Sequence, residues 1–196
     1  MNLIDRAKNI MFNPKQEWEV VKAESITISE MYTKYAAILI AIPALAGLIG
    51  YTAFGIPWVF GTIKIPAGTA LTWAIIKYVT LFAGVVIMSF VIDALAPSFG
   101  SAKDLVASTK VAVFSSTPSW VGGIFFIIPA ISFLAAIAGI YSLVLMYIGL
   151  QKVKDTPPDK IVVYFIVIIV AAIIVFYLLN LLVMKAAFGP YLLDTL

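Results

Sequence analysis

Four ionisable side chains stand at or near membrane depth in a chain otherwise dominated by apolar runs: Lys77, Asp93, Lys103 and Lys110. Charge in hydrocarbon is costly, so such groups face a bundle interior or a cavity and mark candidate ligand sites or pathways. Asp93 closes one apolar run, and Lys103 and Lys110 open the next from the same side after a short turn. The two helices are then antiparallel neighbours, which predicts an Asp93–Lys110 or Asp93–Lys103 pair. That pair either fixes helix register or lines a polar pocket open to the cytoplasm. Lys103, Lys110 and Thr117 recur every seven residues and share one helix face. Something polar must cover that face: another span, a second subunit, water or a lipid headgroup. Lys77 lies in the outer half of its run, roughly 7–8 Å off the midplane at ~1.5 Å per residue. It either snorkels outward on its long stem or contacts an anion or headgroup, with Trp73 one turn earlier able to stack on the ammonium.

Other chemistry is poorly represented. The chain has no Cys and no His, which removes disulfides, thiol catalysis, His general bases and His-based metal sites. It contains no G-x-S-x-G, P-loop or G-x-G-x-x-G motif. A paired-aspartate intramembrane protease needs two carboxylates at depth, and the spans offer Asp93. No enzyme activity, cofactor or metal is expected. The net charge of +3 comes without a basic patch, so no nucleic acid partner is expected either.

The elements that must position these residues are membrane helices. The chain is 63% hydrophobic and 12% charged, with mean hydropathy +1.08, against about 45–50% apolar and about 25% charged in soluble domains. The expected fold is all-α: a polytopic integral membrane protein, a five-span helical bundle with an N-terminal amphipathic interfacial segment. Spans are expected at about 35–54, 70–94, 102–128, 131–150 and 161–184. The third is kinked at Pro118, and Pro129 marks a tight corner. Pro43 bends the first span. Residues 55–69 form a Gly- and Pro-containing loop, with a short strand-like piece at 59–65. Residues 186–196 form an external tail broken at Gly189-Pro190. Capping boxes are expected at Asn13–Gln16, Thr27–Glu30 and Ser101–Asp104, and Thr156 caps the last span. A cleavable signal peptide is not expected, because the polar region before the first apolar run is too long.

Ten charged residues crowd into the first 34 positions: Asp5, Arg6, Lys8, Lys15, Glu17, Glu19, Lys22, Glu24, Glu30 and Lys34. Residues 1–27 read as a cytoplasmic amphipathic segment. In its first helix Leu3, Ile4, Ala7, Ile10 and Met11 form one face, and Asn2, Asp5, Arg6, Lys8 and Asn9 the other. Asn13-Pro14 starts a second helix, with Pro14 at its first position and Trp18 and Val21 facing the lipid. This segment is either an interfacial docking platform or a helix pair packed on its own membrane domain. Residues 28–185 are the membrane domain. With the N-terminus inside, the cytoplasmic side holds Arg6, Lys8, Lys15, Lys22, Lys34, Lys103, Lys110, Lys152, Lys154 and Lys160, against Lys64 and Lys185 outside. The positive-inside rule then places the N-terminus in the cytoplasm and the C-terminus outside, in a cell (inner, cytoplasmic) membrane.

The order of features carries a family resemblance. Asn13-Pro14-Lys15-Gln16-Glu17-Trp18-Glu19 precedes the spans, Thr117-Pro118 lies mid-chain, and Tyr147-Ile148-Gly149-Leu150-Gln151-Lys152 ends the fourth span. Over roughly residues 8–185 the chain resembles the prokaryotic branch of the Yip1 family. The resemblance implies five spans and a cytoplasmic N-terminus. Eukaryotic relatives look like trafficking factors that contact small Rab-type GTPases, an activity not carried over to this chain, whose polar N-terminal region is short. Pro14, Trp18, Pro118, Tyr147 and Gly149 are carried over as motif positions for packing. The expected function is a non-enzymatic membrane protein that organises lipids or partner proteins, with the lipid bilayer and a second copy or other membrane proteins as partners. The alternative is a small-solute or ion pathway lined by Lys77, Asp93 and Lys110.

Overall fold

In the computed structural model, which describes residues 2–58 and 61–193 (side chains at 57–58 and 187–193 excepted), the chain is helical apart from one small hairpin. Two short helices come first, α1 (Leu3–Phe12) and α2 (Pro14–Ala23). Asn2 caps α1, its Oδ1 accepting from the Ile4 and Asp5 amides at 3.0 and 3.4 Å. Pro14 stands in the first turn of α2, where its missing N–H costs nothing; the Asn13 side chain makes no cap bond there, so the box expected with Gln16 does not form.

The first long helix starts at the expected Thr27–Glu30 capping box. It runs as α3 (Ile28–Glu30), six residues of wide π-type turns (Met31–Ala36) and α4 (Ala37–Ala53). The hairpin pairs β1 (Ile56–Trp58) antiparallel with β2 (Gly61–Ile63) in the register Ile56↔Ile63. The strand-like piece expected at 59–65 is thus the second arm of a hairpin; residues 59–60 lie outside the described residues. Next is α5 (Ala67–Leu95), ending in a 3₁₀ turn over Ala96–Phe99.

Residues 105–131 are built in pieces: α6 (Leu105–Ser115), α7 (Thr117–Gly122) and 3₁₀ turns at Gly123–Ile127 and Pro129–Ile131. The break falls at Ser116, and Pro118 sits in the first turn of α7. A proline there begins a helix; it does not kink one. Last come α8 (Leu134–Lys152) and α9 (Ile161–Leu193). The boundary expected at Lys185 does not end α9, since Met184–Ala187 favours helix.

Among the described residues, four helices are long and apolar enough to cross a membrane: Ile28–Ala53, Ala67–Phe99, Leu134–Lys152 and Ile161–Ala186. The segmented stretch is not one of them, yet it runs alongside α4. Tyr35 and Thr117 meet at 2.7 Å, and a Cβ on Gly123 would stand 2.5 Å from Pro43. Glycine is required at 123 because the two backbones meet there.

The main core lies at the end of the bundle nearest α1 and α2. It joins Ile10, Trp18 and Val21 of the head to Tyr35, Ile40, Ile92, Phe114, Leu145, Leu150 and Tyr164 of the body. Long apolar side chains on the outer faces, such as Ile38, Phe90, Ile140 and Ile173, remain exposed, as lipid-facing residues do. Trp18 and Val21, expected to face the lipid, are fully buried.

Candidate functional site

The polar residues fall into two separate places: a charged collar where the head meets the body, and Lys77 on an intramembrane cavity.

At the collar, α1 presents Leu3, Arg6, Ala7 and Ile10 to the body and leaves Ile4, Asp5, Lys8 and Phe12 outside. The face expected to be apolar is thus rotated: Ile4 is 72% exposed while Arg6 is buried. Arg6 Nη1 donates to Glu17 Oε1 at 2.6 Å, Nη2 donates to Glu24, and the guanidinium lies 5.4 Å from the centre of the Phe114 ring. Buried ions need this kind of pairing. No sequence signal foretold the trio, because its members sit on two helices and a linker with no shared period.

Lys110 answers the question of what covers the polar face of α6. Its Nζ donates to Glu24 O at 2.7 Å and Lys22 O at 3.3 Å, where α2 ends. A cation is favoured at a helix C-terminus, whose carbonyls lack intrahelical partners. The cover is the protein's own head, and the Asp93–Lys110 pair does not form. Nor does Asp93–Lys103: Lys103 is exposed and precedes α6, whose cap is Asp104, accepting from the Ala107 amide at 3.0 Å. The seven-residue face therefore loses Lys103 at its start and is broken at Ser116. Its third member, Thr117, gives its hydroxyl proton to Phe114 O at 2.8 Å and accepts from Tyr35.

The partner of Asp93 is Lys154, from the loop between α8 and α9. Their charged atoms are 3.9 Å apart, with both side chains nearly inaccessible. Lys154 also donates to Ala102 O at 2.7 Å and Asp104 O at 3.3 Å. Burial pushes its ammonium below the ordinary lysine value, and the Asp93 and Asp104 carboxylates push it back up. Ser108 Oγ lies 3.2 Å from Asp93. Ser101, expected to cap, instead meets Thr156 at 2.8 Å, and Thr156 donates to Leu150 O; the Thr156 hydroxyl folds the loop and does not cap α9.

Exposed pairs ring the collar: Lys22–Asp155 and Lys152–Glu19, both at 2.6 Å. Tyr141 donates to Met11 O at 2.6 Å and holds the end of α1 on α8. Beneath them, two motif positions far apart in the chain interlock. The Trp18 ring covers Gly149, where a Cβ would meet the indole at 2.8 Å. Trp18 also meets Phe114 edge to face at 6.5 Å. Tyr147 packs edge to face on Phe165 at 5.3 Å. Pro118 is buried.

Lys77 is elsewhere. It borders a cavity of about 660 Å³ between α5, the α6–α7 stretch, α8 and α9. Its Nζ is 3.4 Å from Asn180 Oδ1. Trp73 does not stack on it but meets Tyr51 edge to face at 4.8 Å. Asp93, Lys103 and Lys110 do not line this cavity. The collar groups are held by the head and the loop that follows α8.

The family model described as the Yip1 domain matches residues 8–179. Over 144 residues the chain is 29% identical to the inner membrane protein YohC of Escherichia coli strain K12, covering 70% of this chain and 73% of that protein. It matches YohC of Escherichia coli O6:H1 to the same extent. No solved structure matches.

Proposed function

This chain belongs to the Yip1 family, and we propose that it is a non-enzymatic protein of the inner membrane that organises lipids or partner proteins through its head. The observation that carries this reading is the state of the head. It is clamped to the body by Arg6, Trp18 and Lys110, yet leaves Ile4 and Phe12 more than two-thirds exposed. Ile4, Lys8 and Phe12 recur at four-residue steps, so they form one outward stripe. An apolar and basic stripe on a rigid support suits a headgroup layer or a partner helix.

Five crossings, with the N-terminus in the cytoplasm and the C-terminus outside, fit the same reading. The α6–α7 stretch accompanies the first long helix from Tyr35 to Pro43, which supports it as the third crossing. The distribution of Lys and Arg supports the orientation.

The test is the triple variant Ile4→Ser, Phe12→Ser, Val20→Ser, at positions that are exposed and outside the core. Expected is normal membrane insertion and thermal stability with loss of co-purifying partners or of the wild-type set of bound lipids. An unchanged set of both would refute the reading.

A further inference from the structure

We propose that the Lys77 cavity is a binding site for an anionic phospholipid from the leaflet farther from the head, with the phosphate at Lys77 and one acyl chain running inward along α5. The cavity, about 660 Å³, is within the ~300–1,000 Å³ typical of ligand sites. Its walls at Leu81, Val85, Met88, Leu143, Ile169 and Phe176 are hydrocarbon. The serine hydroxyls along one side are engaged within the wall. Ser116 donates to Ala112 O at 2.7 Å, Ser132 to Pro129 O at 2.8 Å, and Ser119 and Ser142 bond each other at 2.9 Å. That wall offers little to a hydrated solute, and an alkyl chain can lie against it.

Among the described residues Lys77 is the one charged residue on the lining, and its long contact to Asn180 leaves ammonium donors for an anion. It sits toward the end of α5 away from the collar, where its stem can carry the charge toward the interface. From Lys77 to Val85, both on the lining, α5 rises ~12 Å at ~1.5 Å per residue, enough to carry an acyl chain from Lys77 to the middle of the bilayer. Leu143 and Ile169 also wall a second, wholly apolar groove of about 310 Å³ between α8 and α9. A second acyl chain fits there, on the far side of the same two residues. A lone anion would use Lys77 and leave the hydrocarbon empty; a neutral lipid would fill the hydrocarbon and ignore Lys77.

The test uses the full chain in nanodiscs of equimolar dioleoyl phosphatidylglycerol and dioleoyl phosphatidylcholine, transferred to mild detergent for native mass spectrometry. One retained lipid per chain is expected, favouring phosphatidylglycerol by roughly fivefold, the effect of one lysine on an anionic lipid. Lys77→Ala should bring the two lipids to parity, and Lys77→Arg should keep the preference. Gly139→Phe should lower retention of both. Gly139 lines the cavity, and a Cβ there meets only Ser119 Oγ, at 3.7 Å, so the backbone accepts the larger residue. Equal retention of both lipids by the wild-type protein, an unchanged preference in Lys77→Ala, or undiminished retention in Gly139→Phe would each overturn the proposal. The triple head variant leaves this cavity intact, so failure of the lipid site and failure of the head reading are separate results.

Discussion

Trp18→Ala should release the head from the body. The indole is fully buried and its contacts reach across to Phe114 of α6 and Gly149 of α8, so its loss weakens docking more than it weakens α2 itself. Truncating a buried Trp costs ~3–5 kcal/mol, which lowers the docked-to-undocked ratio roughly a hundredfold to several thousandfold. The indole N–H has no hydrogen-bond partner among the described residues, so Trp18→Phe gives up packing alone and should cost less. Gly149→Ala attacks the same contact from the other side. Its Cβ would stand 2.8 Å from the ring, an overpacking worth ~1–3 kcal/mol. In the Trp18→Ala background the ring is gone, so Gly149→Ala should cost almost nothing further, a coupling that a double-mutant cycle reads directly. Because the chain has no cysteine, Val21→Cys supplies a single probe at a fully buried position. Its maleimide labelling should be slow in the parent and accelerate in Trp18→Ala and, less, in Gly149→Ala. Labelling of Val21→Cys that Trp18→Ala leaves unchanged, or fully additive effects of the two substitutions, would refute the argument.

Asp93→Asn leaves Lys154 charged, buried and without its carboxylate, and should lower stability by ~3–5 kcal/mol, whereas the double change Asp93→Leu, Lys154→Met should recover much of the loss; thermal denaturation in detergent measures both. Lys110→Met removes a charged donor from the carbonyls of Lys22 and Glu24 and should cost ~1.5–3 kcal/mol, seen as faster labelling at Val21→Cys with the bundle still folded. Replacing exposed Lys22 or Lys152 by Met should change stability by no more than about 1 kcal/mol, with the effect fading at high salt. For orientation, in sealed right-side-out vesicles Lys64→Cys should be labelled by an impermeant maleimide from outside and Lys15→Cys only after permeabilisation; the opposite pattern would overturn the N-terminus-inside reading.

Much of the architecture is local and was readable in advance. Long apolar runs dictate membrane helices, and the Thr27–Glu30 capping box and Pro14 fix helix starts by chemistry within one turn. The motif order around Trp18 and Tyr147–Lys152 pointed to the family that the chain matches. Lys77 stands out in the sequence, since a charge in a long apolar run is visible without any knowledge of packing.

The partners of the charges were decided by tertiary structure. Asp93 could have met Lys103 or Lys110 by proximity in the chain, yet it meets Lys154 because the loop after α8 folds back under α5 and α6. Lys110 is occupied by the end of α2, an element 86 residues away in sequence. Periodicity placed Arg6 on a solvent face because an amphipathic pattern records polarity and does not reveal two glutamates arriving from elsewhere. Trp18 and Gly149 are separately visible as motif residues, but only the fold lays one ring on the other. The cavity too exists only between helices: no single segment shows that five of them leave a gap of about 660 Å³ with Lys77 at its edge. What each segment becomes is local, because helix formation and partition into lipid depend on neighbours along the chain. The structure decided what each charged or aromatic side chain touches, because those contacts depend on neighbours in space.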